Sequence, residues 1–216
     1  MDENESQDSF MAQTHRVENQ PPMLEDCNAY RLDAALQDSV RANGATWADA
    51  ALAEFGALTG SAEYIQLGFQ ANENRPVLDT HDRHGYRVDR VRYHPAYHRL
   101  MKTSIEQGLH SSHWVEQRKG AGVARAAKFY LMTQAEAAHL CPVTMTSAAV
   151  PALKHQPELF KALTPKILAT EYQPEDLPIA EKQAITLGMA MTEKQGGSDV
   201  RSNSTRAYAV AKGGPG

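Results

Sequence analysis

Apolar positions through most of the chain recur every three or four residues, the spacing of a helix with one buried face. Leu32, Ala35, Leu36 and Val40 share such a stripe, with Asp33 placed to cap the run and Gly44 to stop it. Thr46 and Asp49 resemble a capping box for a second helix that presents Trp47, Leu52 and Phe55, and Ser61 opens a third with Ile65 and Phe69 on one face. His94-Pro95 predicts a helix start, because the missing N–H of a proline costs nothing in the first turn; that helix runs to about Glu106. The clearest helix covers 121–140. Val123, Ala126, Ala127, Tyr130, Leu131, Gln134 and Ala138 fall on one stripe, Arg125, Lys128 and Glu136 point mostly elsewhere, and Cys141-Pro142 ends it. A small-residue stretch at 144–150 precedes Pro151, another helix spans 157–163, and Pro165, Pro174 and Pro178 punctuate a connector.

Two segments break this rhythm. Residues 72–93 carry Pro76, Gly85 and many charges and read as a long surface loop with hairpin character, 86–88 and 91–93 being short extended pieces. From about Gln183 the period becomes two: Ile185, Leu187, Met189 and Met191 alternate with Ala184, Thr186, Gly188 and Ala190, which predicts a strand. A turn at 193–199 and a second strand at 204–210 follow, and 212–216 form a turn. Two strands alone make a marginal sheet, so their open edges call for further partners. The fold expected is mainly α: a loose polar tail at 1–28, a helical domain at 29–182, and the first strands of a β-domain at 183–216.

Composition narrows the class without naming a chemistry. At 216 residues and 42% hydrophobic content the chain can bury a sizeable core. A net charge of −4 from 22 basic and 26 acidic side chains gives no overall footprint for a polyanion. Cys27 and Cys141 form no metal-binding spacing and read as reduced thiols. The acidic opening MDENESQDSF fits neither a secretory signal nor a transit peptide, and no apolar run reaches the ~20 residues of a membrane span. A soluble, cytoplasmic protein is expected.

The informative stretch is 188–200, GMAMTEKQGGSDV. It reads as a strand, a glycine-containing loop and a second strand. Gly196 and Gly197 allow positive φ and close approach of a ligand, Thr192 and Ser198 supply hydroxyls, and the loop amides can donate to an anion or carbonyl oxygen. No Gly-Lys-Ser/Thr follows, so it is not a P-loop, and GxGxxG is absent. A bare Gly-Gly-Ser-Asp is far more often a plain hairpin turn.

The longer string carries more. Met191-Thr192-Glu193 followed by Gly197-Ser198-Asp199 resembles the Thr-Glu-x-x-x-Gly-Ser-Asp motif of the acyl-CoA dehydrogenase superfamily. Lys194-Gln195 stands where that superfamily usually has a proline, as it does in the alkylation-response (AidB-type) branch. The stretches 15–21, 91–101 (VRYHPAYHRLM) and 141–146 also resemble that branch.

The resemblance implies an N-terminal helical domain, a β-barrel-like middle domain and a C-terminal four-helix domain, with this chain an N-terminal fragment inactive alone. It implies that Met189, Ala190, Met191, Thr192, Glu193, Lys194, Gln195, Gly196, Gly197 and Ser198 line FAD, Thr192 near the pyrimidine end of the isoalloxazine and Ser198 near the phosphates. Hydrogen bonds at that end stabilise charge on the reduced ring. The glutamate base that removes the substrate's α-proton belongs to the family's C-terminal domain; Glu193 matches a loop residue and is not that base. An acyl-CoA-like substrate and a homo-oligomer, a tetramer, are further implications. The alternative is a DNA-associated flavoprotein of the alkylation response with little fatty-acyl turnover, its DNA contact made by a C-terminal region. A third reading, a free-standing helical interaction module, is opposed by the open strand edges.

Other constellations carry less. His94 and His98 have a metal-compatible spacing but no HExxH, His110 and His113 lack a third ligand, and His81 and His84 lie in a polar loop; all six read as surface or packing histidines. Ser111-Ser112-His113 lies in no Gly-x-Ser-x-Gly elbow, so nothing supports a hydrolase. Arg83, Arg87, Arg90 and Arg92, with Tyr86 and Tyr93, sketch a nucleic-acid surface that Asp79, Asp82 and Asp89 dilute.

Overall fold

A computed structural model describes residues 18–208. The tail at 1–17, the last two residues of the expected second strand and the turn at 212–216 lie outside them. The helices, in order, are α1 (Ala29–Leu32), α2 (Ala34–Ala42), α3 (Asp49–Thr59), α4 (Ala62–Glu73), α5 (Pro95–Glu106), α6 (Ser112–Val115), α7 (Ala121–Ala135), α8 (Leu140–Leu153) and α9 (Pro157–Ile167). An antiparallel ribbon, β1 (Val77–His81) and β2 (Arg87–Arg92), interrupts them between α4 and α5. The expected helical class is therefore observed.

Local chemistry explains most boundaries. Asp33 accepts the N–H of Leu36 and Ser61 that of Tyr64, satisfying first-turn donors as the sequence predicts. Gly44 ends α2 at a φ of 77°. Helix α5 occupies the expected span, with Pro95 in its first turn and the His94 ring accepting from the N–H of Ala96. The expected capping box at Thr46 does not form. A 3-10 turn at Thr46–Ala48 leads into α3 without a side-chain cap, and Asp49 turns to Arg31 at 2.9 Å and to the Tyr30 hydroxyl at 2.9 Å.

Tyr30, Leu52, Phe55, Tyr64, Leu100, Leu131 and Met132 form one core between α1, α3, α4, α5 and α7, which α8 extends with Leu140 and Val143. Two expected faces are rotated, and Trp47 departs from a third whose Leu52 and Phe55 are buried as expected. On α4 the buried line is Tyr64 and Gly68, while Phe69 is exposed; Gly68 lets the end of α7 come so close that an added Cβ would lie 2.2 Å from the Ala135 carbonyl oxygen. On α7, Ala127 and Leu131 are buried as expected, but with Ala121, Ala124 and Met132, while Ala126, Tyr130 and Gln134 face out. Alanines all round this helix blur its period. Trp47 stays half exposed because its indole N–H reaches the Lys119 carbonyl at 3.0 Å, with the Arg118 guanidinium over the ring.

Cys141-Pro142 does not end a helix; it begins one. Pro142 is the third residue of α8, where its missing N–H has no intrahelical partner to lose. The small-residue stretch then continues helically through Pro151. That proline leaves the Ser147 carbonyl without its i+4 donor, and the Trp114 indole N–H supplies one at 3.1 Å.

The ribbon matches the hairpin character expected of 72–93. Leu78 faces Val91 and Asp79 faces Arg90, while His81 faces Arg87, so β2 carries one extra residue; Asp89, at a φ of 43°, sits in that bulge. Asp82 closes the turn by accepting the N–H groups of His84 and Tyr86. Apart from a half-buried Asp79 in β1, both strands lie in water.

Candidate functional site: the anchored segment 183–198

The segment expected to be a strand forms no ladder among the described residues. Its N–H groups go instead to the connector and the helices, at every second residue from Ile185 on, while Ala184 shares the Gln173 acceptor with Gln183 at 3.5 Å. Gln183 donates to Gln173 Oε1 at 2.8 Å, Ile185 to the Lys166 carbonyl at 3.1 Å, Leu187 to Thr146 Oγ1 at 3.0 Å and Met189 to Met145 Sδ at 3.2 Å. Spacing by two is that of an extended chain whose successive donors point to opposite sides. Ala184 is buried, Ile185 and Leu187 are half buried, and Thr186 and Gly188 are exposed. The period-two signal was sound; what the chain pairs with is α8 and α9.

Beyond Met189 the segment rises off the body. Ala190, Met191, Thr192, Lys194, Gln195, Gly196, Gly197 and Ser198 are exposed and Glu193 half buried. Glu193 pairs with Gly196 in an isolated bridge. Its carboxylate reaches across to the next strand expected from the sequence, accepting from the Thr205 hydroxyl at 2.5 Å, the Thr205 N–H at 2.7 Å and the Ser204 N–H at 3.1 Å, with the Gln195 amide also donating to it. These bonds, the Thr205 hydroxyl foremost, hold the carboxyl down at about 2. Residues 204–208 are irregular rather than a strand, and a 3-10 turn at Val200–Ser202 precedes them. Neither Gly196 nor Gly197 adopts a positive φ, contrary to expectation; the isolated bridge makes the bend without one.

Whether these residues suit FAD turns on free donors and free space. Among the described residues, the N–H and hydroxyl groups of Thr192 and Ser198 make no hydrogen bond, and a Cβ on Gly196 would meet nothing within 4 Å. Exposed donors beside a bare backbone fit one wall of a polar cofactor, and one wall only.

A cleft of about 1040 Å³ opens beside the anchored segment, between β2, α5, α8 and the connector at 172–177. Tyr93 and Tyr97 stack in it at 4.2 Å, and the His98 ring meets the Tyr172 hydroxyl at 2.8 Å. Burial pushes the Tyr97 hydroxyl up to about 12 and lowers the His98 imidazole, so both are neutral near pH 7. Met145 lines the same cleft and so joins it to the anchored segment.

Of the histidines weighed from the sequence, His81 and His84 are exposed and His94, His98 and His113 half buried. No cluster of three metal-ligating side chains occurs among the described residues. His110 is buried and donates through Nε2 to the Ala169 carbonyl. Sequence reasoning missed a buried set, however: Ser104 Oγ lies 2.9 Å from His139 Nε2, and His139 Nδ1 lies 2.5 Å from Glu136. The order imitates a hydrolytic triad, but Ser104 is wholly buried and no carbonyl carbon can reach it. Glu136 was expected to point outward; it is 6% exposed, drawn in to accept from the N–H groups of Ala138 and His139 at the start of α8. Only its position just before a new helix start signalled this, and the expectation of continuous helix to 140 concealed it.

The same architecture occurs in two solved structures. Caenorhabditis elegans ACDH-11 in complex with C11-CoA superposes with a TM-score of 0.73 at 26% identity, covering 90% of this chain and 33% of that one. Bd2924 in its apo form superposes at 0.70, again at 26% identity, covering 83% and 35%. In sequence, the chain is 46% identical over 203 residues to the acyl-CoA dehydrogenase-like AidB of Escherichia coli (strain K12), and 31% identical over 149 residues to acyl-CoA dehydrogenase family member 11 of Caenorhabditis elegans. Those alignments cover 93% and 65% of this chain. The class is thus the acyl-CoA dehydrogenase family. Within it, the chain belongs to the adaptive response protein AidB N-terminal domain family, whose model matches residues 19–174. The chain spans 38% and 22% of the two sequence relatives. No described helix is long and apolar enough to cross a membrane.

Proposed function

We propose that this chain is the N-terminal part of an FAD-dependent, acyl-CoA dehydrogenase-like oxidoreductase, and that residues 189–198 supply one wall of its flavin site. The observation that carries this reading is the anchoring of 185–189 to α8 and α9, which leaves the donors of Thr192 and Ser198 unengaged at the surface. Bound FAD supplies the acceptor for substrate oxidation. The chain's own residues would hold it: the Thr192 N–H and hydroxyl would donate to the isoalloxazine, the Ser198 hydroxyl would donate toward the phosphates, and Gly196 leaves the backbone bare. The substrate would be an acyl-CoA thioester and the whole protein a homo-oligomer. Two free cysteines, Cys27 half buried and Cys141 exposed, support a reducing, cytoplasmic setting.

The test is flavin content of the full-length protein that carries this chain. It should purify yellow with FAD, and Thr192→Ala and Ser198→Ala should each weaken retention. A colourless preparation that takes up no added FAD sinks the reading.

Membership of the AidB N-terminal family favours a second reading, a DNA-associated flavoprotein of the alkylation response with little fatty-acyl turnover. Residues 1–216, at a net charge of −4, should then show no salt-sensitive DNA binding while the full-length protein does. Titrating both with duplex DNA at two salt concentrations, and assaying several acyl-CoAs, separates the readings.

A further inference from the structure

Ile185, Leu187 and Met189 donate to the helices, Gln183 and Ala184 share Gln173 Oε1 on the connector at 2.8 and 3.5 Å, and the N–H groups of Thr186, Gly188 and Ala190 find no partner among the described residues. In an extended chain this phase decides which side every later donor faces, and a slip by one residue reverses all of them. Thr192 has the parity of the free set.

The acceptor at the middle of the row is unusual. Thr146 is wholly buried, and its hydroxyl proton is committed to the Pro142 carbonyl one turn back at 2.7 Å. That carbonyl belongs to the first turn of α8, so the hydroxyl cannot rotate freely, and its lone pair is held toward the Leu187 N–H at 3.0 Å. The other acceptors are less selective: a thioether sulfur, a flexible glutamine amide and a main-chain carbonyl.

We propose that Thr146 is a positioning residue for the flavin site: by accepting the Leu187 N–H it sets the phase of residues 185–192 and turns the Thr192 donor away from the helices. The inference rests on the reading of 189–198 as a flavin wall.

Thr146→Val keeps the shape and removes the acceptor; Thr146→Ser restores it. In the full-length protein, FAD affinity by fluorescence titration should fall on the order of tenfold in Thr146→Val, the loss of about one buried hydrogen bond, and return close to wild type in Thr146→Ser. The bound flavin's absorption envelope should shift in the valine variant, and the Leu187 amide should exchange faster with deuterium. A general loss of fold would lower the melting temperature without a serine rescue of the spectrum. Wild-type FAD affinity and an unchanged Leu187 amide in folded Thr146→Val overturn the inference and leave the flavin reading intact. A wild-type protein that binds no FAD overturns the flavin reading itself. If Thr146→Val does not fold, Thr146→Ala removes the same acceptor with a smaller side chain; it should weaken FAD binding, and unchanged affinity there overturns the inference equally.

Discussion

Glu136 Oε2 lies 2.5 Å from His139 Nδ1, with the imidazole wholly buried and the carboxylate nearly so. Burial alone would raise the Glu136 carboxyl, but hydrogen bonds from the His139 ring, the His139 N–H and the Ala138 N–H outweigh it and bring the group down to about 2 from an ordinary 4.5. Asn72 adds a fourth donor from α4 at 3.3 Å. One side chain therefore ties the end of α7, the start of α8 and the flank of α4.

Glu136→Ala should destabilise the fold by about 3–5 kcal/mol, since it strands buried donors on both helices. Chemical denaturation at neutral pH measures this. A loss below 1 kcal/mol, roughly a surface substitution, would show that the network relaxes or is hydrated.

The same group sets an acid limit. Its pKa is lower folded than unfolded, so its contribution is complete above 4.5 and is lost as pH falls from there through about 2. Wild type should lose stability steeply across that window, and Glu136→Gln should show a shallower fall. Parallel profiles would refute the assignment.

Gly68→Ala sets propensity against packing. Alanine in a helix interior gains up to about 1 kcal/mol over glycine. Here the new Cβ would lie 2.2 Å from the Ala135 carbonyl oxygen, a backbone atom that cannot swing away. Overpacking of this kind costs about 1–3 kcal/mol, so the net effect should be a lower melting temperature. An increase would mean that α4 and α7 slide apart at little cost.

Glu193 should act as a latch on its loop rather than as an acid or base. Its carboxyl is held at about 2, so near pH 7 it stays ionised and accepts from Ser204 and Thr205. In an amide-resolved titration the Thr205 N–H resonance should shift as pH falls toward about 2, and Glu193→Gln should abolish that shift. A Thr205 signal indifferent to both would remove the latch.

How far the sequence revealed these features depended on whether the deciding interaction was local. Asp33, Ser61 and Pro95 act within their own first turns, and their helices began where expected. The alternation at 185–191 reported an extended chain correctly, but not that Lys166, Thr146 and Met145 would accept its N–H groups, because those partners lie 19 to 44 residues away. In sequence Pro142 reads as the end of a helix and Pro151 as an interruption or the start of a new turn. One sits where no donor is needed, and the other is compensated by Trp114, a residue 33 positions from the carbonyl it satisfies. The motif at 191–199 was legible as a string of residue types, while the unengaged state of its donors appears only in three dimensions.

The ribbon of β1 and β2 touches water along almost its whole length, so little apolar burial opposes its opening. It should fray on its own while the helical body stays closed, which makes Arg83, Arg87 and Arg90 the places where limited trypsin digestion first nicks the chain. Two fragments would then remain clasped by the core contacts of α3 and α4 with α5 and α7, an outcome visible as a cut band in denaturing gels and a single species by size exclusion.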